Sequence, residues 1–428
     1  MFENYVESYY SQTCVSSDYP VQEGDQSIDI CVIGGGLAGL NTALGLAQRG
    51  KSVILIEANK IGWGASGRNG GFVSGGFNRD KDFLIRKIGH DNMMAMHKLD
   101  QDALNLVRER ASNAEIDCQV VHGNIEGYLW DQSQTAPQEL VKSNEEFGTN
   151  YEYWDIGKTQ HHYKTKAYKG ARFNPDAFHF HPLNYSLNIA QLAKKAGVEI
   201  YQDSPALKIN DKGGQVIVET PKGKIKSNQI VLTCSGYIKN LYPKLSQATM
   251  PITTYVLVTE PLGDRLQETV TDLAYSVIDE RISCDYWRPI PDRSTRILWG
   301  GRITAFPVAP HKVAEIMRKS MLRVYPHLAD VKIETSWSGK MAYASHRMPM
   351  IGKINDQVWY NTGFGGHGMA ATTMGGEVIA RALSEGSEDY KLFQTFGLPY
   401  AGSFLGPVAA QAYYVMKYLQ DEYKIWRG

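Results

Sequence analysis

The stretch from Ile28 to Glu57 constrains this chain most, because it reads strand, glycine turn, helix, strand and acid in unbroken order. Ile28 to Ile33 is an apolar, β-branched run of the kind buried on both faces of a parallel sheet, and it ends at Gly34-Gly35-Gly36. Leu37, Leu40, Leu44 and Ala47 then recur at helical spacing, with Gly50 placed to end the helix. Ser52 to Ile56 forms a second apolar strand, closed by Glu57 and Ala58. In Gly34-x-Gly36-x-x-Gly39 the first glycine allows a tight turn, the second lets backbone approach a pyrophosphate, and the third lets helix and strand pack closely. The helix start at Leu37 and Ala38 offers N–H groups and a partial positive charge to phosphates. Glu57 stands where a carboxylate accepts both hydroxyls of an adenosine ribose, and its charge argues against a 2′-phosphate.

The residues that follow point to FAD rather than NAD. Gly62-Trp63-Gly64-Ala65-Ser66-Gly67-Arg68-Asn69-Gly70-Gly71 places five glycines in ten residues, with Ser, Arg and Asn among them. Such a backbone can lie against a flat ring and bond its polar edge, and an NAD fold needs no second glycine loop here. A third loop, Gly363-Phe364-Gly365-Gly366-His367-Gly368-Met369, follows the strand Val358 to Thr362 and precedes a helical run. Its helix dipole would stabilise negative charge on the N1–C2=O edge of a reduced flavin, and His367 would donate to flavin, touch substrate or simply brace the loop.

Thr253 to Glu260, Tyr286-Trp287-Arg288-Pro289 and Ile297 to Arg302 are β-branched and aromatic with period-two stretches. They predict an antiparallel sheet roofing the flavin. Tyr255, Tyr286 and Trp287 either line an apolar cage for a neutral amine or fill the core beneath it. The expected fold class is thus α/β (α+β): a Rossmann-like FAD-binding domain with an antiparallel-sheet substrate domain. The FAD-binding part is expected over 1–90, 165–245 and 335–428, and the substrate part over 91–164 and 246–334.

Composition closes off other classes. With 45 basic and 45 acidic residues in 428 and no charged block, nothing asks for nucleic acid or an anionic membrane. The five cysteines are scattered and never in a CxxC pair, which fits a reduced cytoplasmic setting without a metal site or disulfide framework. No leader-like start and no transmembrane-length apolar run is expected. Tyr413, Tyr414, Tyr418 and Tyr423 mark a C-terminal helix expected to dock into the core rather than to anchor in a membrane.

The segments Ser8 to Tyr10, Gly64 to Gly71 (GASGRNGG), His181 to Pro205 and Gly363 to Ala370 (GFGGHGMA) resemble the FAD-dependent amine and amino-acid oxidoreductases of the D-amino acid oxidase, glycine oxidase and sarcosine oxidase superfamily. The resemblance implies backbone bonds to adenine at Ala206 and a pyrophosphate passing over Ser235-Gly236. It also implies non-covalent FAD: Gly339 stands near the place of a linking cysteine, and Arg68 and Asn69 where others carry a linking histidine. The oxygen-activating lysine of sarcosine oxidases would fall near Leu298 or Trp299, so the acceptor is oxygen or another oxidant. The reaction so implied is hydride transfer from the α-carbon of a neutral small-molecule amine to flavin N5, then hydrolysis of the imine. An α-amino-acid oxidase or dehydrogenase, with Arg288 or Arg302 holding a carboxylate, and a flavoprotein with non-catalytic FAD are the alternatives. Acid precipitation of the holoprotein is expected to release all flavin into the supernatant as FAD; colour retained in the pellet would show a covalent link.

Overall fold

Parallel pairing requires crossovers, and the helices that make them decide which sheet face is covered. The computed structural model describes residues 4–271, 275–292, 295–403 and 405–427. Its first sheet runs in the order Met350–Lys353, Val358–Thr362, Gly223–Leu232, Gln26–Ile33, Val53–Ile56, Glu199–Tyr201. All neighbours along this path are parallel except the first pair. The pleat turns Ile30 and Val32 toward helices Leu37–Ala47, His90–Ser112, Pro182–Lys195 and Gly368–Glu385, and sends Cys31 and Ile33 to the opposite core with Ile230 and Leu232. Leu37–Ala47 and Gly368–Glu385 cross so closely that a Cβ at Gly376 would lie 2.8 Å from the Asn41 carbonyl carbon.

The second sheet is antiparallel but for one pair. Its order is Ile333–Tyr343, Met250–Thr259, Ile297–Thr304, Tyr286–Pro289, Ser276–Asp279, Val121–Gly127, Ala171–His179, Phe72–Val73, with Glu152–Trp154 also on Ala171–His179. Val256, Val258, Leu298 and Trp337 face the helical core of the first sheet. Tyr255, Leu257, Trp287, Ile297 and Trp299 face the other way, against helix Pro310–Val324. Trp287 pairs with Trp299 across the strands, their rings 5.8 Å apart and 4° from parallel, and its Nε1 donates to the Tyr168 hydroxyl at 3.0 Å.

The change of sheet does not fall at the expected breaks. Phe72–Val73 and Ala171–His179 lie in stretches expected to be FAD-binding, and Ile333–Tyr343 straddles the expected break at 335, yet all three pair within the second sheet. Helix Leu405–Arg427 likewise leans on the second sheet, through Gln411 to Ala305 and with Ala410 and Tyr414 packed on the Ile252, Ala305 and Tyr343 cluster, while Tyr423 stays exposed, so the expected docking holds for only part of its tyrosines.

Because Trp287 is wholly enclosed by Trp299, Tyr325, Tyr163 and Tyr168, Trp287→Leu should cost roughly 3 kcal/mol by cavity formation and strand the Tyr168 hydroxyl. Thermal melting should show a drop of several degrees with flavin content retained.

Candidate cofactor and active site

Three glycines hold the first strand against its helix by the absence of side chains. Gly34 has φ +118°, and a Cβ there would lie 2.9 Å from Thr233 Oγ1; at Gly39 a Cβ would lie 1.9 Å from the Gly34 carbonyl oxygen. Thr233 Oγ1 donates to the Ile33 and Gly34 carbonyls, at 2.9 and 3.0 Å. Gly36 is the N-cap and provides no side-chain cap; the N–H of Leu37 donates to Ser66 Oγ at 2.9 Å, which ties the early glycine loop to the helix start. Ala38 and Gly39 follow in the first turn, so the N–H cluster and its dipole fit a pyrophosphate, and a Cβ on Gly36 would meet Ser66 Oγ at 2.9 Å.

Glu57 is held ready beside them. Its carboxylate accepts from Gly35 N at 2.6 Å and Asn59 N at 2.9 Å. Burial raises its pKa, and the N–H bonds of Asn59, Gly35 and Ala58 oppose that rise. Glu57 N bonds the Tyr201 carbonyl and Ser204 N the Glu57 carbonyl, which brings Ala206 to the same edge of the sheet. Ser235 adopts φ +50°, and a Cβ on Gly236 would meet the Met341 carbonyl at 3.1 Å, so this turn also runs backbone-close.

The early glycine loop is braced from inside. Asn69 Nδ2 donates to the Ala65 and Ser66 carbonyls at 3.0 and 2.9 Å, and its Oδ1 accepts from Gly71 N at 2.7 Å. Both Asn69 termini are engaged by the loop itself, so it braces the backbone on which the expected cofactor contact would rest. The Arg68 guanidinium sits 4.0 Å over the Trp63 ring, with Nε donating to the Trp63 carbonyl at 2.7 Å. Trp63 in turn packs edge-on to Tyr237, whose ring lies 3.2 Å from where Gly64 would carry a Cβ. Gly339 lies beside Arg68: a Cβ there would be 3.4 Å from Arg68 Cβ. Arg288, 1 % exposed, donates through Nε to the Gly70 carbonyl at 2.9 Å and through Nη2 to the Phe180 carbonyl at 3.2 Å. It anchors the loop through these bonds, while its Nη1 is buried with no hydrogen-bond partner among the described residues.

The roof differs from expectation in its membership. Adjacent strand residues point to opposite faces, and Tyr286 takes the loop side: a Cβ on Gly70 would lie 2.6 Å from its ring, and one on Gly300 2.0 Å. Trp287 and Tyr255 take the far side. Tyr255, 1 % exposed, bonds Thr304 Oγ1 at 2.8 Å and accepts from Val308 N at 2.9 Å. Both are core aromatics of the second sheet, which corrects their expected place in a cage.

Tyr343 fills the place they leave. It ends the strand Ile333–Tyr343, bridges to Phe364, and its hydroxyl lies 2.9 Å from a Cβ position on Gly366. Gly363, Gly365 and Gly366 all have positive φ, and Asn78 Nδ2 holds the Gly365 carbonyl at 2.9 Å. His367 is the N-cap of Gly368–Glu385 and gives no side-chain cap, leaving the first turn at Gly368 and Met369 facing the loop. Tyr286 and Tyr343 both sense the Cys284 thiol, and Tyr343 also senses Tyr414 of the C-terminal helix. Burial raises both phenols' pKa values, so both are neutral near pH 7.

Against known proteins, the model of the family described as "FAD dependent oxidoreductase" (DAO) matches residues 29–382. The chain belongs to the FAD-dependent oxidoreductase family. It is 31 % identical over 419 residues to the probable oxidoreductase OrdL of Haemophilus influenzae, covering 96 % of each chain. It is 30 % identical to gamma-glutamylputrescine oxidoreductase of Escherichia coli, over 90 % of this chain and 91 % of the relative. Among solved structures, L-amino acid deaminase from Proteus vulgaris superposes with a TM-score of 0.70 at 19 % identity, covering 90 % of this chain and all of that one. Glycine oxidase from Bacillus cereus superposes with a TM-score of 0.66 at 20 % identity, over 85 % and 97 %. This FAD-dependent oxidoreductase therefore has FAD as its cofactor, and the three glycine loops and Glu57 are the residues that fit it.

Ribose hydroxyls donate to an ionised Glu57, so affinity for FAD should fall as pH drops through its raised pKa. Titrating apoprotein with FAD, Glu57→Gln should weaken binding roughly 10- to 100-fold at pH 7, the loss of charge-assisted bonds, and flatten the pH dependence. Unchanged affinity would exclude Glu57 from the ribose site.

Proposed function

We propose that this enzyme oxidises a primary or secondary amine, polyamine-like or acylated, to an imine that water hydrolyses to aldehyde and ammonia or amine. The observation that carries the reading is the pair of neutral phenols, Tyr286 against the early loop and Tyr343 against the late one. Bound FAD supplies the hydride acceptor. Tyr286 and Phe72, whose rings meet edge-on at 5.2 Å, give the substrate carbon an apolar wall that favours the uncharged amine. The Tyr343 hydroxyl orients the nitrogen, whose lone pair drives departure of the hydride, and the N–H proton leaves to solvent. The relative acting on gamma-glutamylputrescine by name supports an acylated polyamine.

One observation favours a carboxylate on the substrate. The Arg347 charge acts on Tyr343, Tyr414 and His367, and among the described residues Arg347 forms no ion pair. Arg302 is engaged 4.8 Å over the Tyr418 ring. Arg347 is thus the cation that would meet either an α-amino acid or a glutamyl-like acyl group.

Anaerobic flavin bleaching with polyamines, acylated polyamines and α-amino acids tests the reading; bleaching by amino acids alone would replace it. Since Tyr286 and Tyr343 stay protonated through neutrality, the reduction rate at sub-saturating amine should rise with pH toward the amine's own pKa. Tyr343→Phe should slow reduction roughly tenfold, one hydrogen bond's worth, without loss of FAD. Arg347→Met should raise KM for carboxylate-bearing substrates and leave plain diamines unaffected.

A further inference from the structure

Helix Leu405–Arg427 is fastened on its inner side by Ala410 and Tyr414 against the Ile252, Ala305 and Tyr343 cluster and by polar anchors. Gln411 Oε1 accepts from Ala305 N at 3.0 Å, Asp421 Oδ2 accepts from Ile282 N at 3.2 Å, and Glu422 pairs with Arg323 at 2.6 Å. The apolar side is left outside. Val408, Val415, Met416, Leu419, Tyr423 and Trp426 recur along one face, with Leu419 61 % and Trp426 81 % exposed. Phe306 borders the same groove, and Ile316 is exposed on helix Pro310–Val324, whose Arg323 makes the pair with Glu422. A contiguous apolar face of this size marks an interaction surface.

Charge selects the occupant. The whole chain is neutral, yet these two helices carry seven basic residues (Lys312, Arg318, Lys319, Arg323, Lys417, Lys424, Arg427) against three acidic ones (Glu315, Asp421, Glu422). Asp421 is buried, and Glu422 and Arg323 neutralise each other, which leaves six basic residues against Glu315. A twofold pairing with a second copy would set this basic surface against itself. An anionic lipid surface is complementary to it: apolar side chains enter the acyl boundary, Tyr423 and Trp426 sit at headgroup level, and Lys417, Lys424 and Arg427 meet lipid phosphates. Among the described residues no helix is long and apolar enough to cross a membrane, so the contact is peripheral. We infer that the face built on Leu405–Arg427 docks this enzyme onto anionic membrane surfaces.

Flotation of the FAD-loaded full chain with vesicles tests this, using phosphatidylcholine alone or mixed with phosphatidylglycerol. The chain should float with the mixed vesicles at low salt, several-fold less with phosphatidylcholine, and be released at high salt. Val415→Gln with Leu419→Gln should reduce binding tenfold or more, with flavin content and melting temperature unchanged. Lys417→Gln with Lys424→Gln should weaken it roughly fivefold per cation removed. The inference fails if the wild-type chain floats with neither vesicle, or if the Val415/Leu419 variant floats equally well. It also fails if light scattering shows a dimer that this variant converts to monomer, since a second copy would then cover the face.

Discussion

The contact between the Gly34 carbonyl and Gly39, where a Cβ would stand 1.9 Å from the oxygen, sets the distance between the first strand and its helix. Everything that faces the dinucleotide is referred to that distance. It puts the helix N-terminus at the strand's end, lets Ser66 reach the Leu37 N–H, and leaves Glu57 within 2.6 Å of Gly35 N. Thr233 fastens the same corner from the neighbouring strand, so two parallel strands and one helix share a single rigid joint.

From that joint outward, backbone rather than side chain makes most of the cofactor's surroundings. Asn69 turns its amide back into its own loop, and Arg288 and Trp337 hold the loop's carbonyls from the second sheet. The binding surface is thus preorganised by residues that point away from it, and the two sheets are joined through the loop that faces the flavin.

The sequence carried the parts of this arrangement that demand a particular residue type. A glycine where only glycine fits is visible in the chain itself, as is an acid at the end of a strand, and so the three loops and Glu57 could be placed from residue type and order. The strand Val358–Thr362 and the quartet Tyr286–Pro289 also fall where alternation and β-branching put them. What the chain did not display was which face each aromatic takes. Tyr286 and Trp287 are neighbours and must diverge, and a register shift between Thr254 and Tyr255 changes what Tyr255 opposes. Tyr343 gave no local signal, because its significance arises from pairing with Phe364, distant in sequence. Balanced total charge similarly concealed a basic face, since a sum contains no positions.

The tryptophan stack of Trp287 on Trp299 lies on one side of the second sheet, and Tyr286, across from Gly300, lies on the other. One strand therefore alternates between anchoring the domain and facing the early glycine loop, residue by residue. The sheet works as a partition: side chains toward that loop can be exchanged for others of different shape without opening the hydrocarbon layer behind them. A fold built this way can be reshaped one alternate position at a time on a single unchanging frame.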